Sequence, residues 1–272
     1  MPVRTIARRV GAGAVAVAVI AAGVVFVVSR RHRKAPVPEC AVTAATDGSV
    51  YTLDVDQAAN SATIAGVGKK LGLPDHAVTV ALAAALQESQ LHNVAYGDRD
   101  SLGLFQQRPS QGWGTASEVL TPSYAATAFY RELVKVDNWP QLPVTQAAQE
   151  VQRSGAPDAY AQWEDEARAL AATFTGERSE GLTCRFALQH ARTPAPQFAS
   201  AMRSELGVSS LAGQFDTTRG WAVTSWLVAH ARQFRINQVS FLGREWRASS
   251  GKWRSADPAD SVIRVRQDQP AA

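Results

Sequence analysis

QESQLHNVAYGDRDSLGLFQQRPSQGWG, Gln87 to Gly114, is the stretch on which the reading of this chain turns. A lone glutamate closes an alanine-rich helical run, AVTVALAAALQES, and two dozen residues of Gly, Asp, Ser, Gln and Trp follow it. Glu88 stands three, four and seven residues after Ala85, Ala84 and Ala81, so on a helix it shares a face with small apolar side chains. Such a face is normally buried. A carboxyl half-buried there has its charged form disfavoured and its pKa raised, which suits a general acid near neutral pH. The plain alternative is a glutamate that ends its helix in solvent.

The loop adds chemistry to that acid. Gly97 and Gly103 permit tight turns and close approach to a ligand, while Ser101, Gln106 and Gln107 supply the donors and acceptors that hydroxyl and N-acetyl groups use. Tyr96 and Trp113 offer aromatic faces for sugar rings. Asp98 and Asp100, ten and 12 residues beyond Glu88, are candidate second carboxylates and equally good turn residues. An acid, neutral polar groups and aromatics together suit a carbohydrate; no phosphate loop, hydrolase elbow or metal cluster competes, and no cofactor is implied.

Outward from this stretch, helices dominate the middle of the chain. Asp56 is placed to cap a helix running to Lys70, with Gly72 beyond it, and Pro74 with Asp75 opens the next, which continues to Leu91. Thr121 with Pro122, Thr145, and Pro157 with Asp158 mark three further starts, the last helix ending near Gly176. Thr43 to Asp54 reads as irregular chain or a short hairpin. From Arg185 the pattern changes: helices at Pro196–Leu206 and Arg219–Phe234 precede VSF, EWRAS, KWRS and VIRVR, which alternate like strands. Trp221, Trp226, Trp246 and Trp253 have the spacing of core residues.

At the other end, Val10 to Val28 runs 19 residues without a charge, close to the roughly 20 that a helix needs to cross a bilayer. With basic residues on both sides and no A-x-A processing site, it reads as a retained anchor rather than a cleaved signal. Charge is uneven: residues 1–34 carry seven basic and no acidic groups, residues 40–184 carry nine basic and 17 acidic, and residues 185–272 carry 12 basic and six acidic. The basic tail suits anionic wall polymers or phospholipid headgroups. The two cysteines, Cys40 and Cys184, bracket the middle segment without any C-x-x-C spacing, as a disulfide in an oxidising compartment would.

The expectation is therefore a mainly α protein in five parts: a basic segment (1–9), a transmembrane anchor (10–28), a basic, proline-containing linker (29–40), a helical domain (41–184) and a small basic α+β module (185–272). Its main domains would lie outside the cytoplasm on a single-pass membrane protein.

Two motifs carry a resemblance. ALQES at 85–89 and Ser101-Leu102-Gly103-Leu104-Phe105-Gln106 are similar to the leading motifs of the soluble lytic transglycosylase family, a glutamate-serine pair at a helix end and then S-x-G-L-M-Q, with Phe105 where the family prefers methionine. The approach through Gly97 and Asp98 resembles goose-type lysozymes of the same superfamily, and GDRDSLGLFQQRPSQGWG resembles a lysozyme-like group of actinobacterial membrane proteins. Pro122 to Val136 resembles the family's third helix. The resemblance spans roughly residues 55–175 and implies a lysozyme-like helical domain acting on peptidoglycan glycan strands. In it Glu88 protonates the glycosidic oxygen, and either the substrate's own groups complete a transglycosylation or Asp98 or Asp100 positions water for hydrolysis. Where the family carries A-Y-N-A-G, this chain has Val151-Gln152-Arg153-Ser154-Gly155, so its tyrosine and asparagine are missing; Tyr160, eight residues on, is a substitute for the tyrosine. That departure keeps open a catalytically silent, wall-binding scaffold. Nucleic-acid binding through the basic tail is disfavoured, since the anchor and cysteines place the tail outside the cell.

Overall fold

The computed structural model describes residues 38–187 and 195–268. The chain begins with a hairpin, β1 (Glu39–Thr43) and β2 (Val50–Leu53), and enters α1 (Val55–Lys70) directly. Asp54, not Asp56, caps that helix: its carboxylate accepts from the Asp56 and Gln57 amides, and the Asp54 amide donates in turn to Gln57 Oε1. Next come α2 (Asp75–Ser89), the polar loop, the short α3 (Ala116–Val119), α4 (Pro122–Leu133), α5 (Val144–Gln152) and α6 (Glu164–Phe174). Strand β3 (Leu182–Arg185) then returns to β1, and α7 (Ala199–Leu206), α8 (Thr217–Ala229) and strands β4 (Ile236–Phe241), β5 (Arg244–Arg247), β6 (Lys252–Ser255) and β7 (Arg264–Gln267) complete the chain.

α2 is the hub of the core. Every residue from Ala77 to Leu86 is buried, and α1, α4, α5 and α6 all pack on it. A helix apolar on all sides must be enclosed, and the small side chains of Ala81, Ala83, Ala84 and Ala85 let its neighbours close in at interior density.

Two corrections follow. The fold is not mainly α: helix accounts for 43% and strand for 15%, and the strands form two antiparallel sheets, ordered β2-β1-β3 and β6-β5-β4-β7. Of the first sheet, the β1–β2 hairpin takes the place of the short hairpin that was one alternative for Thr43 to Asp54, whereas β3 was hidden because four residues leave too little alternation to read. The apolar run 10–28 lies outside the described residues, and no described helix is long and apolar enough to cross a membrane. α1, at 16 residues, ends in Lys69 and Lys70 and lies in the protein interior over much of its length. The transmembrane anchor and the single-pass location are therefore not retained.

Cys40 and Cys184 do form a disulfide, and they are direct cross-strand partners of β1 and β3. It ties the start of the helical segment to its end. The tail packs onto the same core, with α7 and α8 against α1. There Glu205 accepts from Thr63 Oγ1 at 2.8 Å and Trp226 Nε1 at 2.7 Å, beside a His230 that burial keeps neutral by pushing its pKa down. Trp221, Trp226 and Trp246 are buried as core.

Candidate functional site

Glu88 sits in the last turn of α2, half-buried, where the unpaired carbonyls of the helix end add partial negative charge. Desolvation pushes its carboxyl above the usual range, opposed by hydrogen bonds from Tyr160 and Gln152. Tyr160 Oη donates to Glu88 Oε1 at 2.8 Å. Burial, with the neighbouring Glu88 charge acting the same way, raises the Tyr160 pKa, so the phenol stays a donor throughout the working pH range. The next turn of chain holds the preceding residue: Trp163 Nε1 and Gln162 Nε2 both donate to Gln87 Oε1, at 2.8 and 3.1 Å. Acid and neighbour are thus clamped from one segment.

The backbone just past the acid is strained. Gln90 (φ 53°) and Leu91 (φ 60°) are consecutive left-handed residues with side chains, where helices ordinarily place glycine. α1 stabilises the turn, with Gln57 Nε2 donating to the Gln90 carbonyl at 2.9 Å and Asn60 Nδ2 to that of Leu91 at 2.7 Å.

The two motifs that stood out in the sequence are joined here. Ser89 Oγ donates to the Leu104 carbonyl at 2.8 Å, and Gln152 Nε2 reaches from α5 to the Phe105 carbonyl at 2.9 Å. Gln152 is thus bonded to the loop and close enough to the acid to lower its pKa. Gln106 spans the loop, donating to the Tyr96 and Gly103 carbonyls. Gln107 is buried and donates to the Ala125 carbonyl at 3.1 Å; Ser101 is buried as well. Gly103 has φ 75°, and a Cβ there would lie 2.7 Å from the Val119 carbonyl oxygen. Gly103→Ala is expected to cost about 1–3 kcal/mol of stability in urea unfolding; an unchanged midpoint would mean that the loop is free to move.

Tyr96 is 75% exposed, and Asp98 is exposed beside Arg99. Asp100 is committed to the loop: Ser110 N donates to its Oδ2 at 2.7 Å and Arg108 Nε to its Oδ1 at 2.8 Å. These bonds, the Ser110 amide first, hold its carboxyl well below the ordinary range. Trp113 lines an open cavity of about 950 Å³ with Gln111, Gly112, Val151, Gln152 and Arg153 among its walls. Glu88 is not itself a wall of that cavity; Gln152 is the side chain common to both.

Among the residues around the acid, Tyr160 is a candidate from the sequence, whereas Gln87, Gln152 and Trp163 emerge only from the fold. Of these only Gln152 lies in a stretch that the sequence singles out, residues 151–155.

Compared with known proteins, the chain matches no family model, and no curated protein matches it significantly.

Proposed function

We propose that this protein cleaves the MurNAc-GlcNAc link of peptidoglycan glycan strands, with Glu88 as general acid. The observation that carries the reading is the half-buried Glu88 carboxyl, raised in pKa and oriented by a neutral, buried Tyr160 at 2.8 Å. It has the properties of an acid that must hold a proton near neutral pH and release it to a leaving oxygen.

The partners of Glu88 favour transglycosylation over hydrolysis. Tyr160 and Gln152 are both neutral, and Asp100 has each oxygen occupied by a loop donor. In the reaction, Glu88 gives its proton to the glycosidic oxygen as the bond to the muramyl anomeric carbon breaks and positive charge develops on the sugar. The muramyl residue's own hydroxyl then closes on that carbon, and its proton returns to the Glu88 carboxylate. Trp113 and Gln152 supply a stacking face and an amide on the adjoining cavity.

The test is digestion of purified peptidoglycan by the full-length, disulfide-bonded chain, beside Glu88→Gln, with products read by mass spectrometry. Anhydro-muropeptides from the wild type alone are expected. Reducing-end products would replace transglycosylation by hydrolysis. No products from either protein, with glycan still bound by both, would replace the enzyme by a wall-binding domain.

Tyr160→Phe supplies a second check. Its hydroxyl bond favours the ionised Glu88, so removing it should raise the carboxyl pKa and move the alkaline limb of the pH-rate profile to higher pH. A limb that stays in place would separate Tyr160 from the acid's titration.

A further inference from the structure

The sheet of the tail has two unlike faces. Across β6, β5, β4 and β7, Trp253, Trp246, Val239 and Val265 stand in register, and Trp246 and Val239 at the middle of that row are fully buried. Residues directly opposite one another share a face, and neighbours along a strand alternate. The row on one side, Lys252, Arg247, Gln238 and Arg266, and the row on the other, Arg254, Glu245, Ser240 and Arg264, therefore stand together on the outer face, where all five of their cations are exposed. Glu245 is the one carboxylate among them, and it accepts from Arg247 Nε and Gln238 Nε2, one on each oxygen. Asp260 holds Arg264 with two bonds, at 2.6 and 2.7 Å. Lys252, Arg254 and Arg266 have no ionic partner among the described residues. Lys252 moreover faces Arg247 directly across the strands, a like-charged pair that disfavours their pairing until an anion lies between them.

This face also has a built recess. Arg247 and Arg266 flank Gln238 from the strands on either side, about 10 Å apart at the backbone, and all three line a cleft of about 300 Å³. Asn237 and Ser249 add an amide and a hydroxyl to the lining, and the buried Phe186 and Ala248 are its apolar part. Two guanidiniums with neutral donors between them suit the oxygens of a phosphodiester, and a cleft of this volume admits that group with its flanking carbons. The two outer rows hold no aromatic ring on which a base could stack and no apolar side chain that could enter a bilayer. Their side chains instead suit charge and hydroxyl groups in alternation. The geometry points to this sheet face as a binding site for a linear polyol phosphate, a chain of phosphodiesters joined by small hydroxylated units, with one phosphodiester in the cleft and its neighbours on Lys252 and Arg254. The inference does not depend on Glu88 and goes beyond the glycan reading.

Calorimetry on the full-length, disulfide-bonded chain tests it with three probes: a glycerol phosphate hexamer, an oligothymidylate, and vesicles of phosphatidylglycerol in phosphatidylcholine. The hexamer is expected to bind most tightly, with an affinity that falls roughly tenfold between about 50 and 200 mM salt as its counterions are released. Arg247→Gln with Arg266→Gln should weaken it about tenfold or more, whereas Arg203→Gln with Arg232→Gln, two exposed arginines outside these rows, should leave it within about twofold. Arg266→Gln alone, which removes no ionic partner from the fold, should carry part of the loss. Thermal melting verifies that each variant is folded. No binding of the hexamer, equal weakening by the two paired variants, or an unchanged affinity in Arg266→Gln overturns the site. Tighter binding of the oligothymidylate or of the vesicles also overturns it, and gives the face to a nucleic acid or to a lipid surface.

Discussion

Glu88→Gln is expected to lower glycan cleavage by about 10²- to 10⁴-fold, the range that a positioned general acid contributes. The loss should appear in turnover, with binding of uncleaved strands retained. The wild-type rate should fall as pH rises through the elevated Glu88 pKa, because only the protonated carboxyl can donate. The contribution of Glu88 to stability should fall in the same direction. A carboxyl whose folded pKa is raised favours the native state while it is protonated, and that contribution is lost as pH rises through the folded value. Glu88→Gln, which removes the half-buried charge, should therefore be at least as stable as wild type at pH 8, with its advantage shrinking as pH falls through the raised folded value and gone below the ordinary carboxylate range. Urea melts at the two pH values read this directly. A variant clearly less stable at pH 8 would mean that the ionised carboxylate is well satisfied, and would remove the physical basis for calling it an acid.

Opening the Cys40–Cys184 disulfide is the perturbation of stability with the largest expected effect. The two residues lie 144 apart in sequence, and closing a loop of that length constrains the unfolded chain by about 5 kcal/mol in the entropy model, a ceiling that measured bonds seldom reach. The paired substitution Cys40→Ser with Cys184→Ser should lower the unfolding free energy by several kcal/mol up to that ceiling, more than the Gly103 change. The lesion lies in the sheet, where β1 joins β2 to β3 and leads by way of β2 into α1. Unfolding curves with and without reductant give the same comparison in the wild-type protein. Coincident curves would show that the pairing of β1 with β3 already holds the two ends together.

Much of the helical part was legible because its signals are local. Pro122 at the first position of α4 and Pro74 ahead of α2 are start signals set by φ and the missing amide, and both hold in the structure. Caps were less certain: Asp54 rather than Asp56 caps α1, and α5 begins at Val144 after Pro143 with no cap from Thr145. Both alternatives lie within two residues, where local preferences nearly balance. The last helix of the middle segment starts at Glu164, since the turns after Pro157 serve instead to carry Tyr160 to Glu88.

The sequence alone determined that Glu88 ends an apolar helix, that a polar glycine-bearing loop follows, and that the two cysteines bracket the segment containing both. Each is a matter of residue type and spacing along one stretch of chain. Only the tertiary structure decided what surrounds the acid. Tyr160 lies 72 residues from Glu88 in the chain, and the Gln152–Phe105 bond spans 47. No periodicity encodes such contacts, because they arise from the packing of α5 and the turns after it around the buried α2. The same holds for the first sheet: Cys40 and Cys184 become neighbours because β3 pairs with β1, a pairing that depends on how the intervening helices fold the chain back.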